Sequence, residues 1–299
     1  MLTLQKQLEK RSWLLTDGAT GTNLMNYGLG PGEPPELWNL DNPEKVRKHY
    51  NSFIDAGCDV ILTNTFGANS ERLKLHNAED RVYEINQTAA KLLCEEVKAS
   101  GRDVIVAGSI GPTGSLLSPL GTLEANDART VFRLQAEALK AGGAHYAWIE
   151  TFSALEEAEA ALNGVKDAGL ESIITFSFDT AGHTMMGVAP EKLPEKIKEM
   201  ETQPVAFGSN CGAGLDSFIK SFERIANAKQ EGDILVAKAN CGVPEYKDGA
   251  VRWPADHTQM VEWAKTVRKL GAQIIGGCCG NTPEYVAAIG VELQLKGDL

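Results

Sequence analysis

One pattern recurs eight times along this chain and constrains its fold more than anything else: a short apolar run rich in Val, Ile, Phe and Trp, followed by a stretch of helical periodicity. The runs predict strands at 13–17, 60–64, 104–109, 146–150, 173–178, 205–210, 234–238 and 273–276. Helices are predicted between them at 43–56, 80–100, 126–141, 154–168, 190–200, 215–230, 255–270 and 282–293. Several of these open near Asp, Asn, Ser or Thr and close near Gly, as capping requires. Gly57, Gly101, Gly143, Gly169, Gly232 and Gly271 each stand a few residues before a predicted strand, where a helix exit needs a left-handed residue. The repeat is roughly 37 residues long, the size of one strand and its crossover helix. Such alternation forces the strands parallel, and eight of them favour closure over an open doubly wound sheet, which is the fold alternative. The expected architecture is therefore an α/β fold, a single-domain (βα)8 TIM barrel over residues 1–299. Its active site should lie at the C-terminal ends of the strands. Residues 18–42, with Gly-Leu-Gly-Pro-Gly, Pro34 and Pro35, read as the one long irregular connection, and residues 22–42 as a candidate lid.

Composition narrows the functional classes. A chain of 299 residues with 43% hydrophobic and 23% charged residues has material for a large core and no disorder signature. Against 40 Asp and Glu there are 29 Lys and Arg, a net charge of −11, which repels phosphate backbones and anionic membranes. Nucleic acid and membrane partners are not expected. Residues 1–15 intersperse Lys6, Glu9, Lys10 and Arg11 among apolar residues, and no apolar run of about 18 residues occurs, so neither a signal peptide nor a spanning helix is expected. A cytoplasmic location follows as the expectation. In that reducing compartment the six cysteines read as ligands or nucleophiles before disulfides.

Chemistry in such a barrel belongs to the strand ends. Strand one ends in Asp17-Gly-Ala-Thr-Gly-Thr, strand two in Thr63-Asn-Thr-Phe, strand three in Gly108-Ser-Ile-Gly-Pro and strand four in Glu150-Thr-Phe. Strand six ends in Ser209-Asn-Cys-Gly, strand seven in Asn240-Cys-Gly and strand eight in Gly276-Gly-Cys-Cys-Gly. Four of the six cysteines thus fall on one rim, on three successive strands. Neighbouring strands are about 4.8 Å apart, so Cys211 can meet Cys278 and Cys279 across strand seven, around one ion with bonds near 2.3 Å. Gly276, Gly277 and Gly280 permit the sharp turn that two adjacent ligands need. Soft thiolates select zinc over magnesium, calcium or manganese. The bland alternative is a set of small buried cysteines at strand ends. Three thiolates with an open position would make the metal catalytic, whereas Cys241 as a fourth would make it structural, and spacing alone leaves both open. An open site suits activation of a thiol, which is mostly protonated at neutral pH when free and deprotonated when bound to zinc.

The rest of the rim suits an amino-acid-like substrate. Asp17 and Glu150 can take an ammonium group, and successive amides after Asp17 can form a nest for a carboxylate. Each also has a plain structural reading, as a turn-former and a strand-end ion pair. The Gly108–Gly114 stretch matches neither nucleotide-loop spacing. The five histidines (His49, His76, His145, His183, His257) are scattered, with no triad.

Together, Asp17-Gly-Ala-Thr-Gly-Thr, Thr63-Asn-Thr-Phe-Gly-Ala, Gly108-Ser-Ile-Gly-Pro, Ile149-Glu-Thr, Asn210-Cys-Gly and Gly276-Gly-Cys-Cys-Gly resemble the zinc-dependent homocysteine S-methyltransferase family. That family includes the homocysteine-binding module of cobalamin-dependent methionine synthase and betaine–homocysteine methyltransferase. The resemblance runs nearly the whole chain in order. It implies zinc on Cys211, Cys278 and Cys279, homocysteine thiolate as fourth ligand, and methionine as product. It further implies that Asp17 and Glu150 contact the homocysteine amino group and that the amides around Thr20 and Gly21 hold its carboxylate, with Cys241 a neighbour only. Betaine enzymes of this type enclose the quaternary ammonium with tyrosines where this chain has Gly67 and Thr151. Trp38, Phe66, Phe152 and Tyr27 are the other aromatics that could meet a cation. Two donor classes are implied: methylcobalamin on a separate corrinoid protein, or a small methyl-onium compound such as betaine, dimethylsulfoniopropionate or S-methylmethionine. Rival functions are a zinc-binding thiol-redox or storage protein on a barrel scaffold, and a metal hydrolase, for which the rim lacks histidines.

Overall fold

In the computed structural model, which describes residues 3–247 and 250–295, all eight repeated apolar runs form strands. They are β1 (Leu14–Leu15), β2 (Val60–Leu62), β3 (Ile105–Ile110), β4 (Tyr146–Phe152), β5 (Glu171–Phe176), β6 (Ala206–Cys211), β7 (Leu235–Ala239) and β8 (Ala272–Gly277). The crossover helices are α1 (Pro43–Asp55), α2 (Val82–Ser100), α3 (Ala125–Ala141), α4 (Leu155–Asp167), α5 (Leu193–Glu199), α6 (Leu215–Ala228), α7 (His257–Lys269) and α8 (Pro283–Leu295). Each strand pairs in parallel with its sequence neighbour from β2 to β8, and β8 pairs with β1 at Leu14↔Ile274 and Leu15↔Ile275. A parallel bridge between Thr16 and Val60 brings β1 back to β2, with the Asp17 amide donating to the Val60 carbonyl at 3.2 Å. The open-sheet alternative is thereby excluded.

The runs are nearly continuous in apolar residues because a parallel strand in this setting is covered on both faces. One parity points into the barrel: Leu14, Val60, Leu62, Ile105, Ala107, Tyr146, Trp148, Ile173, Ala206, Val236 and Ile274 form one interior cluster. The other parity, including Leu15, Ile61, Val106, Ile149, Ile174, Phe207 and Ile275, packs against the helices. Each such Leu, Ile or Val taken out of water contributes about 1.5–3 kcal/mol before entropy is counted. The N-terminal helix Leu4–Lys10 closes the lower end, its Leu4 joining the interior cluster and its backbone amide donating to the Tyr146 hydroxyl at 3.0 Å. Towards the C-terminal end the same inward parity turns polar, with Ser109, Glu150, Thr175, Asn210 and Lys238, and this layer is the floor of the site.

Beyond the N-terminal helix and the helical turns at Ser70–Leu73 and Lys74–His76, which the periodicity does not predict, two stretches differ from expectation. Residues 18–42 are not irregular: they carry a short helix at Gly21–Met25, a 3-10 turn at Pro35–Leu37 and a helical turn at Trp38–Asp41. Pro35 stands at a helix start, where its missing N–H costs nothing, and Trp38 and Leu24 anchor the segment in the core. After β7, Glu245–Lys247 and Ala250–Arg252 form an antiparallel hairpin. Its first strand is exposed throughout and has no apolar face, so nothing in its pattern announces a strand. Among the described residues no helix is long and apolar enough to cross a membrane.

Candidate metal centre and substrate cavity

Cys211 is the last residue of β6, and Cys278 and Cys279 follow β8 directly. The backbone aims them at one another. Cys278 donates its amide to the Ala239 carbonyl at 2.8 Å, and Cys279 donates to Asn240 Oδ1 at 3.1 Å while its carbonyl accepts from the Cys241 amide at 2.9 Å. The turn needs Gly280, which has φ +81 and packs so closely on Trp253 that a Cβ would lie 2.3 Å from the indole. On the opposite side, Cys211 (φ +60) and Thr151 (φ +64) both take left-handed backbone without being glycine, a strain of the order of 1–2 kcal/mol each. Asn210, fully buried, holds the two together. It accepts from the Thr151 amide at 2.9 Å and donates to Thr151 Oγ1 at 2.7 Å, with its amide nitrogen 3.4 Å from Cys211 Sγ and 3.7 Å from Cys278 Sγ.

As a result the sulfurs of Cys211, Cys278 and Cys279 lie within 4.8 Å of one another, with Cys211 and Cys278 3.0 Å apart. Hydrogen bonds from the Cys211 and Cys278 thiols hold the Cys279 thiol down at about 4, and its hydrogen bonds to Cys278 and then to Cys279 push Cys211 well above the usual thiol range. Three sulfurs this close cannot all be anionic on their own, and a soft divalent cation is what lets them be so together. The donor set therefore fits a thiophilic metal. Cys241 stands apart: it is buried, its thiol donates to the Ala255 carbonyl at 3.0 Å, and burial pushes it up to about 11.

The sulfurs form one wall of a cavity of about 400 Å³. Gly18 to Thr22 and Met25 line another side, Pro35 and Glu36 a third, and Thr63 to Phe66 with Ser109, Glu150 and Lys238 the remainder. Strand parity carries Glu150 towards this space, and Thr151, where the register of β4 against β5 shifts between Ile149 and Phe152, also lines it. Glu150 Oε1 accepts from the Ser109 hydroxyl at 2.5 Å, and burial raises its carboxyl to about 7 against the pull of Lys238. Among the expected contacts, Thr20, Gly21, Glu150 and the three cysteines share this cavity, but Asp17 does not. Its carboxylate lies behind the wall at 1% exposure, where Oδ1 accepts from Lys238 Nζ at 2.7 Å and Oδ2 from the Leu62 amide at 2.7 Å.

Of the four aromatics considered for a cation, only Phe66 lines the cavity. Trp38 and Tyr27 already carry Lys45 and Lys48 over their rings, and Phe152 packs on Phe132. At Gly67, where the betaine enzymes have tyrosine, the amide donates to Glu36 Oε1 at 2.7 Å, and a Cβ there would come within 2.8 Å of that oxygen. Two charged residues on the cavity wall are not singled out by any sequence motif. Glu36 comes from the 3-10 turn Pro35–Leu37 in the 18–42 connection, which shows no period in sequence. Lys238 stood at a predicted strand end, and its parity with the inward Val236 was the available signal.

The fold and site define a (βα)8 barrel with a metal-competent thiol cluster on the wall of a cavity at the strand ends. The chain belongs to the homocysteine S-methyltransferase family, whose model matches residues 14–293. It is 25% identical over 303 residues to a methionine synthase of Mycobacterium leprae and 26% identical over 291 residues to one of Mycobacterium tuberculosis. These alignments cover 95% and 92% of this chain but 24% of each relative, so the chain spans about a quarter of their length. Among solved structures it is similar to the metallated form of the Escherichia coli homocysteine methyltransferase MmuM, with a TM-score of 0.80 at 23% identity over 96% of this chain and 99% of that one. That likeness is one of fold.

Proposed function

We propose that this barrel is a zinc-dependent homocysteine S-methyltransferase that makes methionine. The observation that carries the reading is the trio of sulfurs from two separated segments, converging on the wall of a cavity that also presents Glu150 and the Thr20–Thr22 segment. Cys211, Cys278 and Cys279 would hold the metal. When bound, zinc supplies the positive charge that keeps an incoming thiol deprotonated at neutral pH. Glu150 receives the acceptor's ammonium group, and the amides around Thr20 and Gly21 hold its carboxylate. Asp17 acts at one remove, through Lys238. The cavity walls fix the thiolate for in-line attack on the donor's methyl carbon. The new S–C bond forms as the bond to the leaving group breaks, and the methyl passes without its electron pair. Orientation of this kind is worth several kcal/mol.

The donor belongs to one of two classes, a methylated corrinoid or a small methyl-onium compound. Zinc-loaded protein with homocysteine and, in turn, betaine, dimethylsulfoniopropionate, S-methylmethionine and methylcobalamin separates them, with methionine formation as the readout. Methionine from at least one donor, lost on zinc removal, supports the reading. Turnover undiminished in metal-free protein, or no methionine from any donor, contradicts it.

A further inference from the structure

Resting on that acceptor reading, we propose that Lys238 is a built-in ammonium group that satisfies Asp17 in advance, so that the acceptor's amino group meets Glu150 alone. Mercapto-carboxylates lacking the amino group are then acceptors too.

Lys238 and Asp17 are 2% and 1% exposed, from opposite sides of β8, and their charges meet at 2.7 Å. The pair is positioned, not incidental. Val236 turns inward in the interior cluster, so Lys238 two residues on is carried to the floor of the site by strand parity. Its Nζ sits 5.1 Å from the centroid of the Trp148 ring, a second attraction that fixes it there. Asp17 has little left to offer a ligand: Oδ1 also accepts from the Thr16 hydroxyl at 3.1 Å, and Oδ2 is taken by the Leu62 amide. Lys238 lines the cavity while Asp17 does not, so an entering ammonium group faces a like charge where the family resemblance led one to expect a second carboxylate. Burial works against the charge on Lys238, but Asp17 and Glu150 outweigh it and the amine stays protonated. The acceptor is thus read through its thiol and its carboxylate, with the amino group contributing one shared contact.

The test is equilibrium binding, which needs no donor. Zinc-loaded wild-type protein is titrated calorimetrically with L-homocysteine and, separately, with 4-mercaptobutanoate, the same molecule without its amino group. One contact to a carboxyl group predicts a preference for homocysteine of less than about 100-fold, and a larger preference overturns the proposal. In Lys238→Met, Asp17 is released to the ligand, and the preference should rise at least about tenfold. A preference that is unchanged or reduced in folded Lys238→Met overturns it. Where a melting curve shows that this variant does not fold, the wild-type ratio decides alone. If wild-type protein binds neither thiol, the acceptor reading itself fails and this inference with it. If homocysteine binds and 4-mercaptobutanoate binds more than about 100-fold more weakly, only this inference fails.

Discussion

Asn210 shows how much of the site rests on single side chains. One buried amide satisfies Thr151, steadies two left-handed residues and reaches towards two sulfurs. Removing a thiol removes a metal donor outright, so Cys211→Ala, Cys278→Ala and Cys279→Ala should each lose zinc retention and activity, measured by metal analysis after gel filtration. Cys241→Ala should retain both, because its thiol is committed to the Ala255 carbonyl. Glu150 gives a pH signature. Burial raises its carboxyl to about 7, so it is neutral below that pH and anionic above it. Affinity for the ammonium of homocysteine should therefore rise with pH through about 7. Glu150→Gln should make the rise less steep, leaving the part due to loss of the thiol proton, and weaken binding by about tenfold while zinc content is unchanged, which calorimetry across pH 6–8 checks. The cysteines were legible because four of them recur at strand ends. The burial of Asp17 was not, since a strand-end Asp before Gly reads alike whether it faces a ligand or an internal lysine.

The connection of residues 18–42 supplies two walls of the cavity, and its fit depends on one interlock: Glu36 reaches the Gly67 amide across space that a side chain at 67 would fill. Gly67→Ala should displace Glu36 and loosen this segment, at a cost of about 1–3 kcal/mol. Thermal melting gives the cost, and faster proteolysis within residues 22–42 locates it. At the entrance to α7, Asp256 accepts from the Gln259 amide and Gln259 returns the bond, so Asp256→Ala should cost about 1 kcal/mol and leave metal binding alone. Periodicity predicted the eight crossover helices, while the N-terminal helix, the short helical turns of residues 18–42 and the exposed hairpin escaped it. Elements of three to five residues hold too few side chains to show a period, and they form because the barrel beneath them fixes their ends.

Across the whole molecule, parity along the strands divides labour: apolar residues fill the lower barrel, polar ones the layer below the cavity, and the strand ends and loops above carry the sulfurs. The parallel order β6–β7–β8, with β7 between the two thiol-bearing strand ends, is what brings Cys211 and Cys278 together across 67 residues of sequence. Eightfold alternation made this arrangement legible, because few other folds bury eight short parallel strands. What it could not show was the polar layer's pairing, which depends on which side chains meet across the barrel. A metal bound by two distant segments should also stabilise the fold. Zinc at about 100 times its dissociation constant should add about 2.7 kcal/mol, seen calorimetrically as a melting temperature that falls when a chelator is added. The most direct measurement is zinc X-ray absorption on the loaded protein, alone and with homocysteine. Three sulfur neighbours near 2.3 Å that become four on adding homocysteine are predicted. Four sulfurs beforehand, or a shell that homocysteine leaves unchanged, would contradict the account.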